Sequence, residues 1–147
     1  MNLQQLLEEW ENDCKIDKMR LDETSLSTPI LHAKYLKLLS EAKLQLKRTE
    51  NDQKILLKDK WLWYNGKLSQ EEIIAKGWNP DPFDGLKVLK GEMEHYYESD
   101  PELQQSEEKI TYFKTVIDTL NEIVSTLNWR HQNIKNIIEW RKFESGG

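Results

Sequence analysis

Between Pro29 and Gly66 the chain carries neither proline nor glycine, and this constrains the fold more than any other feature. A run of that kind reads as one long helix. Its charge is the reverse of its surroundings. Leu31 to Lys67 holds nine Lys/Arg against four acids, a net +5, while the remaining residues hold twelve basic and twenty-two acidic, a net −10. At about 100° per residue, Lys43, Lys47, Lys54 and Lys58 fall within roughly 60° of one another. Trp61 continues this cationic stripe, and Trp63 and Tyr64 follow it. Cations along a rail that ends in flat rings suit a single nucleic-acid strand, which offers one phosphate and one base per step. The same residues also fit a plainer reading, a solvated lysine face with core aromatics at the helix end. Confinement of positive charge to one segment of an acidic chain favours the strand.

The length of 147 residues allows one compact domain or a pair of small units. With 37% apolar residues, 32% charged and a mean hydropathy of −0.79, long helices would enclose only a thin core. Oligomerisation would complete it. No run is apolar enough to span a membrane, and the N-terminus lacks a basic-then-apolar signal. The lone Cys14 excludes an internal disulfide and suits a reducing compartment. These features point to a soluble intracellular protein.

In chain order, residues 2–16 read as an amphipathic helix with Asn2 as cap and Leu3, Leu6, Leu7, Trp10 and Cys14 on one face. Cys14 reads as a small buried hydrophobe. Residues 17–27 are polar and turn-like, and Thr28-Pro29 opens the long helix. Within that helix Arg48 to Lys54 carries no hydrophobe, which fits either a solvated waist or a bend. Asn65-Gly66 is a left-handed helix stop, with a small hairpin over Trp61 to Leu68 as the alternative. Ser69 with Glu72 forms a capping box for a short helix closed by Gly77. Trp78 to Gly85 is a turn-rich loop rather than a metal site. Leu86 to Glu98 is weakly helical, with Tyr96 and Tyr97 able to pack or to stack.

Asp100-Pro101 caps a last helix reaching about Phe143. Ile110, Phe113, Ile117, Leu120, Val124, Leu127, His131, Ile134 and Ile138 step by three and four as a heptad seam. Val116, Ile123, Arg130 and Ile137 widen that seam on one side. So wide a strip asks for a bundle, or for both an intrachain and an interchain partner. His131 at a seam position reads as a hydrogen-bonded core histidine. The division that follows is 1–99, a helical region carrying the cationic stripe, and 100–147, a long helix for packing and assembly through Ile117, Leu120, Val124, Leu127, Ile134 and Ile138.

Several chemistries have no signature here. There is no phosphate-cradling G-x-x-x-x-G-K-[ST] loop and no G-x-S-x-G. His32, His95 and His131 have no zinc spacing, so no metal or cofactor is expected. Paired glutamates such as Glu71-Glu72 sit in a first turn, where the helix dipole favours them. The chain reads as a non-enzyme, with a carboxylate-dependent nuclease as the minor alternative.

Two stretches resemble a known family. Leu57-Lys58-Asp59-Lys60-Trp61-Leu62-Trp63-Tyr64-Asn65-Gly66-Lys67 is similar to the L-K-A-R-L-x-Y-Y-x-G-R stretch of the UvsY recombination mediators of tailed phages. Ile134-Lys135, Ile137 and Trp140 to Gly146 resemble that family's I-K-x-I-x-x-M-R-A-F-E-A-G end. The N-terminal leucine-rich acidic helix and the total length also fit, so the resemblance covers nearly the whole chain, and the Trp78 to Gly85 loop looks most like the branch in phages of cyanobacteria. The resemblance implies an all-α fold of long antiparallel helices with short connecting helices, oligomerising through a C-terminal amphipathic helix. It also implies a factor that binds single-stranded DNA, loosens the phage single-strand-binding protein and loads the phage recombinase, as a ring of six or seven subunits, in the cytoplasm of the infected host. On this reading Lys58 and Lys60 match the family's basic pair. With Lys43, Lys47, Lys54, Trp61, Trp63, Tyr64 and Lys67 they make the candidate DNA-binding set. Asp59 and Lys60 replace the family's alanine and arginine, and the arginine's planar fork is lost with it. The alternative is a helical scaffold that binds only proteins.

Overall fold

The computed structural model describes residues 2–146, and those residues form helices, turns and loops with no strand among them. The order is α1 (Leu3–Asp13), α2 (Leu21–Tyr64), α3 (Gln70–Lys76), a one-turn 3-10 helix (Lys90–Glu92), α4 (Met93–Ser99), α5 (Pro101–Asn128) and α6 (Arg130–Glu144). The fold is all-α, as expected.

The ends of these helices follow from local chemistry. Asn2 and Gln5 cap α1 reciprocally: Asn2 Oδ1 accepts from the Gln5 N–H at 2.8 Å, and Gln5 Oε1 accepts from the Asn2 N–H at 3.1 Å. At the end of α2, Gly66 takes φ +68°, its N–H donates to the Trp63 carbonyl, and the Lys67 N–H reaches back to Leu62 at 2.8 Å. That is the paired bonding of a left-handed helix stop, so the hairpin alternative is excluded. Ser69 Oγ accepts from the Glu72 N–H to cap α3, and Asp100 Oδ1 accepts from the N–H groups of Glu102 and Leu103 to cap α5.

Two boundaries differ from expectation, and one alternative left open is decided. First, α2 begins at Leu21, so residues expected as a turn are helical and Pro29 lies inside. The hydroxyls of Thr24, Ser27 and Thr28 donate to carbonyls three or four residues back, a pattern that a helix accommodates. Second, the polar Arg48 to Lys54 segment is unbroken helix, anchored by a buried Thr49 whose hydroxyl donates to the Gln45 carbonyl. Third, the single last helix is interrupted at Trp129. The interruption has no glycine or proline to announce it. It coincides with Arg130 turning inward to donate to the carbonyls of Asp13 and Lys15, both at 3.0 Å.

The chain groups into two compact units. The first takes α1, α2 as far as Leu44, α5 from Phe113, and α6. Its core is Leu6, Tyr35, Leu39, Ala42, Val116, Leu120, Ile123 and Leu127. The buried row that α5 and α6 contribute to this unit is therefore Val116, Leu120, Ile123, Leu127, Arg130 and Ile134, which takes Leu120, Leu127 and Ile134 from the heptad seam and Val116, Ile123 and Arg130 from the side that widens it. Ile117 and Val124 are only partly buried against this core, Ile138 is exposed, and His131 is exposed rather than a core histidine. The intrachain core thus covers both part of the seam and the side that widens it. Leu120, Leu127 and Ile134, expected at a subunit interface, are covered by their own chain. Cys14 is exposed as well, because it lies past the last turn of α1 with its Sγ 3.3 Å from the Glu11 carbonyl.

The second unit is Gln45–Tyr112. Here α2 and α5 run antiparallel: Lys60 and Tyr64 meet Asp100, while Thr49, Asp52 and Leu56 share a cleft with Gln105, Ser106 and Lys109. Leu68, Ile73, Leu103 and Ile110 are buried in this unit, which also holds a set of packed rings. Tyr64 lies 5.0 Å from Tyr97 and 5.8 Å from Phe83 between centroids, and Trp63 lies 5.1 Å from Trp78. Asp81 in the connecting loop spends its carboxylate on the N–H groups of Phe83 and Gly85, so it is turn chemistry as read.

Candidate nucleic-acid interface

In the second unit, Lys47, Lys54 and Lys58 are exposed on α2, and no ion pair among the described residues involves them. Lys43, on the part of α2 that belongs to the first unit, is exposed too. Beyond Lys58 on the same face stands Trp61, 47% exposed. Lys67, just past the helix stop, places its Nζ 4.7 Å from the centre of the Trp61 ring. Three ammonium groups and a cation-capped indole can offer a polyanion both charge and a stacking surface.

Lys60, Trp63 and Tyr64 are elsewhere. Lys60 is 3% exposed. Its Nζ lies 3.0 Å from Asp100 Oδ2 and 3.4 Å from Glu102 Oε1, and 4.1 and 4.6 Å from the ring centres of Trp78 and Trp63. Tyr64 is buried and donates its hydroxyl to Asp100 Oδ2 at 2.6 Å. The Trp63 indole N–H donates to the Asn79 carbonyl, and that of Trp78 to Glu102 Oε1. Lys60 and Tyr64 thus belong to the interior of the unit, and Trp63 is partly buried against it. The reason is geometric, since residues two apart on a helix point about 160° away from each other, and Lys58 and Lys60 cannot share a face.

The electrostatics of this interior follow from its contacts. Burial would raise the Asp100 carboxyl, but bonds from Tyr64, the Leu103 N–H and Lys60 outweigh it and hold the group below its usual range. Burial, then donation to Asp100, pushes the Tyr64 phenol well above its usual value. Both effects keep the pair as carboxylate and phenol over the physiological range. Sequence reasoning found Asp100 as a cap but missed Trp78, Glu102 and the link to Lys60. No local pattern joins positions forty residues apart. Among the described residues no cluster of His, Cys, Asp or Glu could hold a metal, and no helix is long and apolar enough to cross a membrane.

Comparisons with known proteins agree with this architecture. A family model described as recombination, repair and ssDNA binding protein UvsY matches residues 9–147. Recombination protein uvsY of Enterobacteria phage T4 is 25% identical over 146 residues, 99% of each chain. The crystal structure of the bacteriophage T4 recombination mediator protein UvsY in lattice type II gives a TM-score of 0.81 at 25% identity, covering 99% of this chain and 98% of that one. Lattice type IV gives 0.78 at 23% identity over 98% and 99%, a likeness of fold. With nearly its whole length matched, the chain belongs to the UvsY family of recombination, repair and single-stranded-DNA-binding proteins.

Proposed function

We propose that this protein is a recombination mediator that binds single-stranded DNA along the exposed face of Lys47, Lys54 and Lys58, with Trp61 and Lys67 closing the path. The observation that carries this reading is the exposed lysine row ending at a half-exposed tryptophan, in a chain of net charge −5. On it, the protein loosens the phage single-strand-binding protein and loads the phage recombinase, without catalysis or cofactor, in the cytoplasm of the infected host.

A few phosphate contacts are weak singly and each adds a salt slope of about 0.7 for a single strand. A ring of six or seven subunits repeats the row, so that one strand engages several copies at a raised effective concentration. Exposed apolar residues on α6 support assembly: Trp140 and Phe143 are 61% and 73% exposed and stack on each other, and Ile138 is exposed nearby in the helix. Such a surface favours a protein partner.

The test is oligo-dT binding across a salt series. Lys54→Ala with Lys58→Ala should reduce the slope of log affinity against log salt by about 1.4 per engaged subunit, from two lost contacts, while light scattering shows an unchanged oligomer. Unaltered affinity at low salt would remove this face from the mechanism and leave the protein-only scaffold.

A further inference from the structure

We propose that Lys60 is a positioning residue: it serves as the internal counter-ion of Asp100 and Glu102, fixing the end of α2 so that Lys58, Trp61 and Lys67 face the strand, and it makes no phosphate contact itself. This rests on the single-strand reading above and assigns the two lysines of the Lys58-Asp59-Lys60 motif to different tasks.

Four observations converge on it. Lys60 is almost fully enclosed, whereas Lys58 is exposed. Its ammonium is met by two carboxylates at 3.0 and 3.4 Å and by two indole rings, which leaves little of it for an incoming phosphate. One of those carboxylates, Asp100, also receives the Tyr64 hydroxyl and caps α5, and the other, Glu102, receives the Trp78 indole N–H. Drawing Lys60 out would therefore strand a 3%-exposed Asp100 carboxylate beside the rings that pack the unit. Finally, Trp61 and Lys67 flank this cage at the helix stop, so a displaced α2 end would take the exposed indole–ammonium pair with it.

The experiment compares oligo-dT binding over a salt series, with near-ultraviolet circular dichroism of each protein, for the parent and for Lys58→Met, Lys60→Met, Lys60→Arg and the double variant Lys60→Met with Asp100→Asn. Lys58→Met should lower the salt slope by about 0.7 per engaged subunit and leave the aromatic signal intact. Lys60→Met should instead change the aromatic signal of Trp63 and Trp78. The double variant, with both buried charges removed, should recover most of that signal and keep the parent slope. A double variant that loses slope as Lys58→Met does would overturn the proposal, as would a Lys60→Met protein with the parent's aromatic signal. If the parent chain fails to bind oligo-dT, the strand reading falls, and the aromatic signals still decide whether Lys60 is the internal counter-ion. Lys60→Arg, which keeps the charge, should restore more of the aromatic signal than Lys60→Met does.

Discussion

Each unit contains the same three-residue cage, a tyrosine hydroxyl and a lysine ammonium on one aspartate oxygen. In the first unit Tyr35 and Lys34 both meet Asp13 Oδ2 at 2.7 Å. In the second, Tyr64 and Lys60 meet Asp100 Oδ2 at 2.6 and 3.0 Å. The chemistry matches, but the solvent does not. The Lys34 and Asp13 side chains are 34% and 23% exposed, against 3% and 2% for Lys60 and Asp100. Lys34 also pairs with Glu9 near the surface, while Lys60 lies between two indole rings. Water therefore stands in for a lost partner in the first cage and has no access to the second. One geometry yields a modest surface anchor in one place and a structural necessity in the other.

The sharpest way to break the comparison is to remove each lysine. Lys60→Met leaves a buried carboxylate without its cation, for which about 3–5 kcal/mol of destabilisation is expected. Lys34→Met should cost no more than about 1 kcal/mol, because both partners keep solvent. Urea unfolding of the two variants checks the ratio, and equal losses would make solvent access irrelevant.

Removing the phenol hydroxyls should separate the cages less. Tyr64→Phe and Tyr35→Phe each delete a hydrogen bond to a charged acceptor, worth about 1.5–3 kcal/mol. The loss should be larger at Tyr64, whose Asp100 has less water to turn to, and thermal melts of the two variants would show the order.

Proton linkage gives the smallest effect and sharpens the comparison from both sides. Asp13 is lowered despite burial, by bonds from Lys34 and Tyr35, just as Asp100 is lowered by bonds from Tyr64, the Leu103 N–H and Lys60. A depressed carboxyl contributes stability that is present above about pH 4 and is lost as pH falls through its folded value. The two phenols are raised by burial and by their aspartates. Their contribution is present below about pH 10 and declines as pH rises beyond it. Melting temperatures should accordingly fall at both extremes, and Asp100→Asn should flatten the acid limb. An acid limb as steep as the parent's would assign acid unfolding to other groups.

Much of this fold was legible because it is local. The Asn65-Gly66 stop, the Ser69 and Asp100 caps and the long helix between Pro29 and Gly66 each depend on neighbours a few residues away. The exposed lysine row was legible for the same reason, since helical periodicity alone puts Lys47, Lys54 and Lys58 on one face. What could not be read depends on distant partners. The side of α5 that is most deeply buried depends on the core it shares with α1 and α2, which encloses Val116 and Ile123 and leaves Ile117 and Val124 partly buried. The break at Trp129 follows from Arg130 reaching the end of α1, more than a hundred residues back. Motif similarity points Lys60 at the strand, against a periodicity that places it opposite Lys58.

Asp100 divides its two oxygens between different tasks: Oδ1 holds the first amides of α5, and Oδ2 holds Lys60 and Tyr64 from α2. Fraying of that first turn would thus release the ammonium and the phenol in the same event. Amide exchange at Glu102 and Leu103 should keep pace with exchange at the tail of α2, as one opening reaction shared by two helices far apart along the chain.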